Sequence, residues 1–547
     1  MGAFTRAAVV AAIAAALVLP ANLANAGQSP VIKPVKACAD LVRNFDIPGA
    51  PTHVTSTEVV PAAGTDPEYC DVKGHVDPAV EFELKLPTST FTGRYFQDGC
   101  GGFCGTFFPS PFPDCGKPQA GDFAVAVTND GHVGGGVFPA ADGTWGANNE
   151  PLREDFFFRA PHVVSLASKW IITTYYGAPP KHSYFSGCSN GGREALLLAQ
   201  RYPDDFDGII AGAPAGYFDP LIVVQAWLYR SNTAADGSQI VTSDKLPALH
   251  SAVLAACDKL DGLVDGQLDD PRACTFDPGA IQCAGADQPT CLTAAQVAAV
   301  RKFYAGPTDQ AGRKLYPAGE PRGTELAWDG WILPAPGLGS LAALLGDNYL
   351  KYLGYPVGTP ASSLADFQFT LPDFNRLTLE GFKVNAMSLD LTRFQRHGGK
   401  LIIWHGWADQ AIPPAGTVDY YQRLVQHSGG AQQTQKWARL FMIPGMYHCQ
   451  GGDSLTTFDP TKELVNWVES GKAPEKVIAQ AVDPNDNDKT VRTRPVFPYP
   501  LRAKYTGTGD INDAANFTPA APLVPTTNDI VNWAGTYLHL LPGPVAH

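Results

Sequence analysis

Between about residues 80 and 215, short runs of β-branched and aromatic residues alternate with segments that have the apolar spacing of helices. The strands predicted from this pattern are residues 94–97, 123–128, 184–186 and 209–211, and the helix predicted after the third strand is residues 194–201. Strands that alternate with helices are typical of a mostly parallel sheet. The pattern therefore predicts an α/β domain.

The strand pattern weakens over residues 217–388, where cysteines cluster and aromatic residues become frequent. It returns at residues 400–404 and 440–443. We interpret this as one α/β domain, residues 27–216 and 389–547, that is interrupted by a large inserted domain.

Residues 1–26 have the pattern of a signal peptide. Arg6 ends a positively charged start, residues 7–19 are apolar, and Ala24-Asn25-Ala26 fits a small-x-small cleavage site. A membrane anchor is the alternative, but the apolar run is too short to span a bilayer. The pattern predicts cleavage near Ala26 and a secreted or periplasmic protein with no membrane partner.

The composition is apolar and acidic. Hydrophobic residues make up 45% and charged residues 17% of the chain, which suffices for a large core. The formal net charge of -13 argues against nucleic acid as the main partner. There are 11 cysteines, an odd number, and in an exported protein disulfides are their expected use.

A candidate nucleophile lies between a predicted strand and a predicted helix. Gly187-Cys188-Ser189-Asn190-Gly191 matches the pattern G-x-S-x-G. A serine hydroxyl is a weak nucleophile, and a sharp strand-to-helix turn exposes it to a base. We predict that Ser189 is the nucleophile and that the N–H of Asn190 stabilises the oxyanion. A structural turn is the alternative.

The acid and the base of such a triad follow the serine, each in a loop after a strand. Asp409 follows the predicted strand at 400–404, and His448 follows the one at 440–443. His448 would take the Ser189 proton, and Asp409 would hold the imidazole in the required tautomer. Either residue could instead be an ordinary turn residue. His405 is expected to be structural.

Two cysteines flank the candidate serine and histidine. Cys188 precedes Ser189, and Cys449 follows His448. If the serine and the histidine are within hydrogen-bond reach, the α-carbons of these neighbours can fall within the roughly 4.4–6.8 Å that disulfides need. We predict a Cys188–Cys449 bridge, with two unrelated buried cysteines as the alternative.

In combination, Cys188-Ser189, Asp409 and His448-Cys449 resemble the paired-cysteine triad of the tannase and feruloyl esterase family of secreted α/β-hydrolases. Three further motifs carry the resemblance, which extends over nearly the whole chain after the signal peptide: Gly192-Arg193-Glu194, Ile443-Pro444-Gly445-Met446 and Gly509-Asp510-Ile511-Asn512. The resemblance implies an α/β-hydrolase fold with esterase activity, in which residues 217–388 form a lid domain. The family includes enzymes that hydrolyse mono-(2-hydroxyethyl) terephthalate.

The glycine-rich segment Gly99-Cys100-Gly101-Gly102 follows a predicted strand and is expected to supply a second oxyanion donor. The resemblance favours Gly102 as that donor, with Gly101 as a near alternative, and an ordinary tight turn is the other interpretation. Separation and resemblance also imply the disulfides Cys38–Cys70, Cys257–Cys274 and Cys283–Cys291. Three cysteines then remain for at most one internal bridge. We favour Cys104–Cys115 over the pairings with Cys100, which stay open.

A short acidic loop in the insertion is a candidate metal site. It contains Asp258, Asp261 and Asp265. Oxygen ligands suit Ca²⁺, but the loop lacks the EF-hand spacing, and Asp-Gly pairs also form turns without metal. The resemblance implies a structural Ca²⁺ held by these carboxylates and by the carbonyls of Leu263 and Gln267, remote from the chemistry.

We therefore predict a serine esterase that hydrolyses feruloyl (hydroxycinnamoyl) or galloyl esters through an acyl-enzyme on Ser189. The substrate is expected to be a small aromatic ester, free or attached to plant polysaccharide or tannin. The alternatives are a terephthalate monoester hydrolase, a non-catalytic secreted binding protein and a peptidase. The sequence shows no anchor for a peptide terminus, and no triad member is missing.

The walls of the substrate pocket are harder to predict. Ile412, three residues after Asp409, is expected to line the site. Aromatic residues of the insertion are further candidates, although packing inside the insertion is the more frequent role for any one of them. They are Trp328, Trp331, Tyr349, Tyr352, Tyr355, Phe367, Phe369 and Phe374.

Overall fold

A ten-stranded sheet carries the strands of the α/β pattern. The computed structural model describes residues 30–113, 121–335, 337, 339–483 and 485–540, so the predicted signal peptide lies outside the described residues. The strands of the sheet are β1 (Asn44–Phe45), β2 (Thr52–Val60), β3 (Tyr69–Val76), β4 (Val80–Pro87), β5 (Arg94–Asp98), β6 (Phe123–Thr128), β7 (His182–Cys188), β8 (Gly208–Gly212), β9 (Lys400–Gly406) and β10 (Ala438–Ile443).

The sheet has an antiparallel part and a parallel part, in the order β1-β2-β3-β4-β6-β5-β7-β8-β9-β10. Strands β1 to β4 are antiparallel, and β4 is antiparallel to β6. All neighbours from β6 to β10 are parallel. The predicted α/β fold is confirmed. The sequence analysis does not predict β1 to β4, which precede its first strand at residues 94–97. In β2, exposed positions in the second half of the strand dilute the apolar signal.

Helices occupy the connections. They are α1 (Glu150–Glu154), α2 (Ala160–Tyr176), α3 (Asn190–Arg201), α4 (Phe218–Ser231), α5 (Leu246–Cys257), α6 (Ala294–Ala305), α7 (Leu341–Asn348), α8 (Leu371–Leu377), α9 (Gly381–Val384), α10 (Thr392–His397), α11 (Ala415–His427), α12 (Ala431–Thr434) and α13 (Thr461–Ser470). Successive residues of β8 point to opposite faces of the sheet. Ile209 packs in the apolar cluster that contains Leu196 of α3, and Ile210 packs in the cluster that contains Leu464 of α13.

The insertion leaves the sheet between two neighbouring strands. Residues 213–399 connect β8 to β9, which pair directly with each other. The far end of the insertion is bound to α3, because Arg193 donates to the carbonyl of Val384 at 3.3 Å and Arg201 donates to that of Lys383 at 2.9 Å. The limits of the inserted domain, residues 217 and 388, stay a prediction. Its role as a lid over the active site also stays a prediction.

The C-terminal segment forms two small antiparallel sheets, β11 (Val477–Asp483) with β12 (Asp486–Val496) and β13 (Arg502–Tyr505) with β14 (Phe517–Ala520). The N–H of Tyr499 donates to the carbonyl of Leu440 in β10 at 2.7 Å, so this segment runs along the edge of the main sheet. Within the described part of the chain, no helix is both long and apolar enough to cross a membrane.

Three disulfides lie away from the candidate site. The structure pairs Cys38 with Cys70, Cys257 with Cys274 and Cys283 with Cys291, the same pairs that the sequence analysis favours. The first connects the N-terminal segment to β3, and the other two close loops inside the insertion.

Candidate active site

Ser189 lies at a sharp turn between β7 and α3. Its φ of 65° and ψ of -120° are values that residues other than glycine rarely adopt. The turn leaves no room for side chains on its flanks. A Cβ on Gly187 would lie 2.5 Å from the backbone of Gly191, and a Cβ on Gly191 would lie 3.0 Å from the carbonyl of Cys100. The glycines of the motif are therefore required sterically.

The predicted acid and base lie side by side after β9 and β10. Asp409 is fully buried, and its Oδ2 lies 2.8 Å from Nδ1 of His448. Its Oδ1 accepts the backbone N–H groups of Ala411 at 2.7 Å and Ile412 at 2.9 Å. These contacts fix the carboxylate in one orientation towards His448.

His405 is a second partner of the same carboxylate. Its Nε2 lies 3.1 Å from Oδ2 of Asp409, and its Nδ1 lies 2.8 Å from the hydroxyl of Thr417. Burial alone would raise the pKa of Asp409, but the neighbouring imidazoles of His448 and His405 outweigh it and lower that pKa below its usual range. The residue therefore carries its negative charge where it faces His448.

A disulfide joins the two halves of the site. Cys188 and Cys449 are bonded, with their α-carbons 5.9 Å apart and a sequence separation of 261. Ser189 and His448, their immediate neighbours, line the same cavity. The bridge thus holds the turn after β7 against the loop after β10.

Both predicted oxyanion residues line this cavity as well. Asn190 is the first residue of α3, and Gly102 lies in the loop after β5. Gly102 has a φ of 59°, and a Cβ there would lie 2.1 Å from the carbonyl oxygen of Ala140. Only glycine fits this position, which agrees with a backbone role for Gly102.

The preferred pairing of Cys104 with Cys115 is wrong. The structure bonds Cys104 to Cys100, with α-carbons 5.4 Å apart, and Cys115 lies outside the described residues. The chain turns back on itself in this loop, since Cys104 itself has a φ of 59°. That turn brings the two nearby cysteines together on the inner side of the oxyanion loop.

Two buried carboxyl groups support the oxyanion loop from behind. Glu194 accepts a hydrogen bond from Nδ2 of Asn190 at 2.7 Å and one from the N–H of Cys100 at 3.3 Å. Burial raises the pKa of Glu194 to about 7. Burial and the charge of Glu194 raise the pKa of neighbouring Asp130. The sequence analysis noted Glu194 only as part of a motif, and no local pattern marks Asp130.

The cavity is small in this structure, with about 30 Å³ open to a water-sized molecule. Besides the residues already described, its walls include Phe103, Ala215, Phe218, Leu221, Ile222, Gln225, Trp331, Leu345, Ala411 and Ile412. Ile412 lies where the sequence analysis expects it. Of the candidate aromatic residues, Trp331 alone is among these wall residues of the described chain, and its ring centroid lies 5.7 Å from that of His448.

Most of the other candidate aromatic residues pack inside the insertion. Trp328 is fully buried against Phe303, and the hydroxyl of Tyr349 donates to buried Asp219. The sequence analysis missed Phe103 and Phe218, which supply aromatic walls instead. No periodicity marks them, because their position depends on how the insertion closes over the sheet.

The acidic loop of the insertion brings several carboxylates together. Asp258 accepts the N–H groups of Asp265 at 3.2 Å and of Gly266 at 3.0 Å. Oδ2 of Asp265 accepts from Arg494 at 2.6 Å, while its buried Oδ1 has no hydrogen-bond partner among the described residues. Asp269 lies beside this group, and burial together with the charge of Asp261 raises its pKa to about 7. This oxygen-rich, partly unsatisfied set fits a hard cation.

In the α/β-hydrolases, a mostly parallel sheet carries the serine at a strand-to-helix turn, and the acid and the histidine follow later strands. In this chain, Ser189 follows β7, Asp409 follows β9 and His448 follows β10. This arrangement is typical of serine hydrolases. The chain belongs to the tannase and feruloyl esterase family, whose sequence profile matches residues 62–338 and 377–520.

Individual relatives agree with this assignment. A mono(2-hydroxyethyl) terephthalate hydrolase of Piscinibacter sakaiensis is 33% identical over 531 residues, covering 84% of this chain and 86% of the relative. A probable feruloyl esterase of Arthroderma benhamiae is 33% identical over 456 residues, covering 79% and 81%. The crystal structure of an esterase from Aspergillus oryzae superposes with a TM-score of 0.75 at 26% identity, over 86% of this chain and 97% of that one. The predicted family and enzyme class are confirmed.

Proposed function

We propose that this esterase hydrolyses esters of aromatic carboxylic acids through an acyl-enzyme on Ser189. The observation that carries the proposal is the convergence of Ser189, His448, Asn190 and Gly102 on one largely apolar cavity. Asp409, held against His448 at 2.8 Å, completes the set.

In the first half-reaction, His448 takes the proton of Ser189 while the serine oxygen attacks the ester carbonyl carbon. The N–H groups of Gly102 and Asn190 donate to the oxyanion that develops. Collapse of the tetrahedral intermediate breaks the bond to the alcohol, which leaves with the proton from His448.

In the second half-reaction, His448 takes a proton from water, and the resulting hydroxide attacks the acyl carbon. The bond between the acyl group and Ser189 then breaks, the serine recovers a proton from His448, and the free acid leaves. Asp409 stays ionised throughout and stabilises the imidazolium of each step.

Gln225 favours an acyl group that carries a ring hydroxyl. This residue of α4 is 4% exposed and lines the cavity, yet its Oε1 has no hydrogen-bond partner in the described part of the chain. A carboxamide has one accepting and one donating end, and a phenolic hydroxyl can both donate and accept. Hydroxycinnamoyl and galloyl groups carry such hydroxyls, and we propose these as the acyl groups.

A terephthalate monoester is the second candidate, because the Piscinibacter sakaiensis relative is named for that substrate. Its free carboxylate only accepts hydrogen bonds and is costly to bury without a cation. Of the described residues that line the cavity, none is a lysine or an arginine. The cavity therefore supports the hydroxyaryl acids over terephthalate.

Hydrolysis of methyl ferulate, methyl gallate and a terephthalate monoester by the purified protein tests the proposal. We expect turnover of at least one of the first two, with a higher kcat/KM than for the terephthalate ester. Ser189→Ala should abolish turnover, whereas Ser186→Ala, on β7, is the matched control. Equal activity in Ser189→Ala would contradict the mechanism, and no turnover of any ester would favour the binding-protein alternative.

The acidic loop is the proposed site of a structural Ca²⁺. The carboxylates of Asp258, Asp261 and Asp265 and the carbonyls of Leu263 and Gln267 would hold the ion, with Asp269 close by. The unsatisfied Oδ1 of Asp265 supports this assignment. Bound Ca²⁺ would neutralise the carboxylates and stiffen the loop, without a part in the chemistry.

We also propose that the enzyme is exported. Export places it in an oxidising compartment, where the bridge between Cys188 and Cys449 is stable. A small ester, free or linked to plant polysaccharide or tannin, is the substrate proposed for that location.

A further inference from the structure

Two histidines and an aspartate lie together on the antiparallel part of the sheet, outside the cavity of Ser189. His53 on β2 and His75 on β3 are cross-strand partners, and their rings stack with centroids 4.8 Å apart and planes 17° apart. Asp77 follows β3, two residues after His75, and all three side chains are partly exposed. Neither the esterase chemistry nor the acidic loop of the insertion uses these residues.

Hydrogen bonding directs the imidazole of His53 towards Asp77. Its Nδ1 lies 2.9 Å from Oδ1 of Asn44, an oxygen that only accepts, so Nδ1 carries the hydrogen. Nε2 of the neutral ring then has no hydrogen and presents a lone pair. This nitrogen lies 3.3 Å from Oδ2 of Asp77. Two accepting atoms at this distance need a proton or a cation between them. A partner that orients the outer nitrogen of a histidine is typical of metal ligands.

The second imidazole points at the same carboxylate. Nε2 of His75 lies 3.8 Å from Oδ1 of Asp77, and one ligand atom from each of the three side chains lies within 4.8 Å of the others. Ligands of a tetrahedral Zn²⁺ with bonds of about 2.0–2.1 Å are roughly 3.4 Å apart. Side-chain shifts of less than about 1.5 Å would therefore bring the set to coordination distance.

We propose that His53, His75 and Asp77 bind a transition-metal dication of the Zn²⁺ type. Two imidazoles and one carboxylate suit Zn²⁺, Cu²⁺ or Ni²⁺, whereas Ca²⁺ and Mg²⁺ prefer oxygen ligands alone. One dication balances the carboxylate and connects β2, β3 and the following turn.

Isothermal titration with ZnCl₂ tests the site. The full mature chain, free of any polyhistidine tag, is kept in excess CaCl₂ so that oxygen-ligand sites are filled. We expect a Zn²⁺ site that is at least about tenfold weaker in His75→Ala, since each ligand contributes strongly to affinity. His397→Ala is the matched control, because it removes an exposed histidine that faces a single aspartate, Asp204, at 3.5 Å.

Co²⁺ gives an independent readout, since the visible absorption of the bound ion reports its ligand geometry. Asp77→Asn serves as a second variant in case His75→Ala does not fold. We expect both site variants to lose the Co²⁺ bands while hydrolysing esters at the wild-type rate. Unchanged Zn²⁺ affinity in both variants, or no binding to the wild type below about 1 mM, would overturn the proposal.

Discussion

Replacing Gln225 by methionine removes the carboxamide from the cavity and keeps the length of the side chain. In the wild type, Oε1 of Gln225 is buried without a hydrogen-bond partner in the described residues. A substrate hydroxyl that reaches it would satisfy this group, and a substrate without the hydroxyl would leave it unsatisfied. The variant should therefore lose the preference for the hydroxyl and not the capacity for hydrolysis.

The expected magnitude follows from hydrogen-bond energetics. A net hydrogen bond between neutral groups contributes about 0.5–1.5 kcal/mol, and an unsatisfied buried acceptor costs about 1–3 kcal/mol. A difference of about 1.4 kcal/mol corresponds to a factor of ten in kcat/KM. Gln225→Met should also raise the free energy of unfolding by about 1 kcal/mol, because it removes the unsatisfied group.

The assay compares methyl 4-hydroxycinnamate with methyl cinnamate, which differ only in the ring hydroxyl. We expect the wild type to prefer the hydroxylated ester by about tenfold in kcat/KM and Gln225→Met to show a ratio near one. Leu221→Met, a cavity residue one helical turn earlier on α4, is the matched control and should keep the wild-type ratio. An unchanged ratio in Gln225→Met would refute the assignment of Gln225 as the hydroxyl partner.

Three further outcomes follow from the site. Asp409→Asn should lower kcat by about 10⁴-fold, measured by steady-state kinetics, because the imidazole loses the partner that sets its tautomer. The double variant Cys188→Ala/Cys449→Ala removes a bridge between residues 261 apart in the sequence. It should lower the free energy of unfolding by about 2–5 kcal/mol in urea denaturation and reduce kcat as well. The pKa of Glu194 is about 7 in the folded chain, whereas its ordinary value is 4.5. Between pH 4.5 and pH 7, the folded state therefore keeps a proton on Glu194 that the unfolded state has released. Stability should therefore fall as the pH rises through this window, and Glu194→Gln should reduce the fall in melting temperature between about pH 5 and pH 8.

For each of these three experiments, one result would contradict the expectation. A kcat within tenfold of wild type in Asp409→Asn would remove that residue from the mechanism. Wild-type stability and kcat in the double cysteine variant would show that the bridge does not position the serine and the histidine. If the melting temperature of Glu194→Gln depended on pH as that of the wild type does, the retained proton would lie on another group. Glu194→Asp is the control, because it keeps a carboxyl group at this position.

Much of the active site was predictable because its parts are local. The turn around Ser189 needs glycines on both sides, since Cβ atoms at Gly187 and Gly191 would contact backbone at 2.5–3.0 Å. The G-x-S-x-G pattern that meets this demand is visible in five consecutive residues. The acid and the histidine each follow a short buried strand, so their order along the chain was also readable.

The loop of Cys100 and Cys104 shows where prediction from separation fails. The sequence analysis favoured a bridge from Cys104 to Cys115, whereas the structure bonds Cys104 to Cys100. The pairing depends on a backbone reversal with a positive φ at Cys104, which no composition signal marks. The contact of Glu194 with the N–H of Cys100 behind this loop likewise joins residues that are 94 positions apart in the sequence.

By itself, the sequence determined the α/β class and the family, and it marked Ser189, Asp409 and His448 as the candidate triad, because each of these depends on short motifs and on strand order. Only the tertiary structure decided which side chains line the cavity and which polar groups remain unsatisfied there. Gln225 and Trp331 are far apart in sequence, and they line the same cavity only because the insertion folds back on itself. The pairing of His53 with His75 has the same origin, since it needs the register of two antiparallel strands that the apolar pattern does not reveal. Local sterics are encoded in consecutive residues, whereas the shape of a cavity and the partners across a sheet result from packing over long separations.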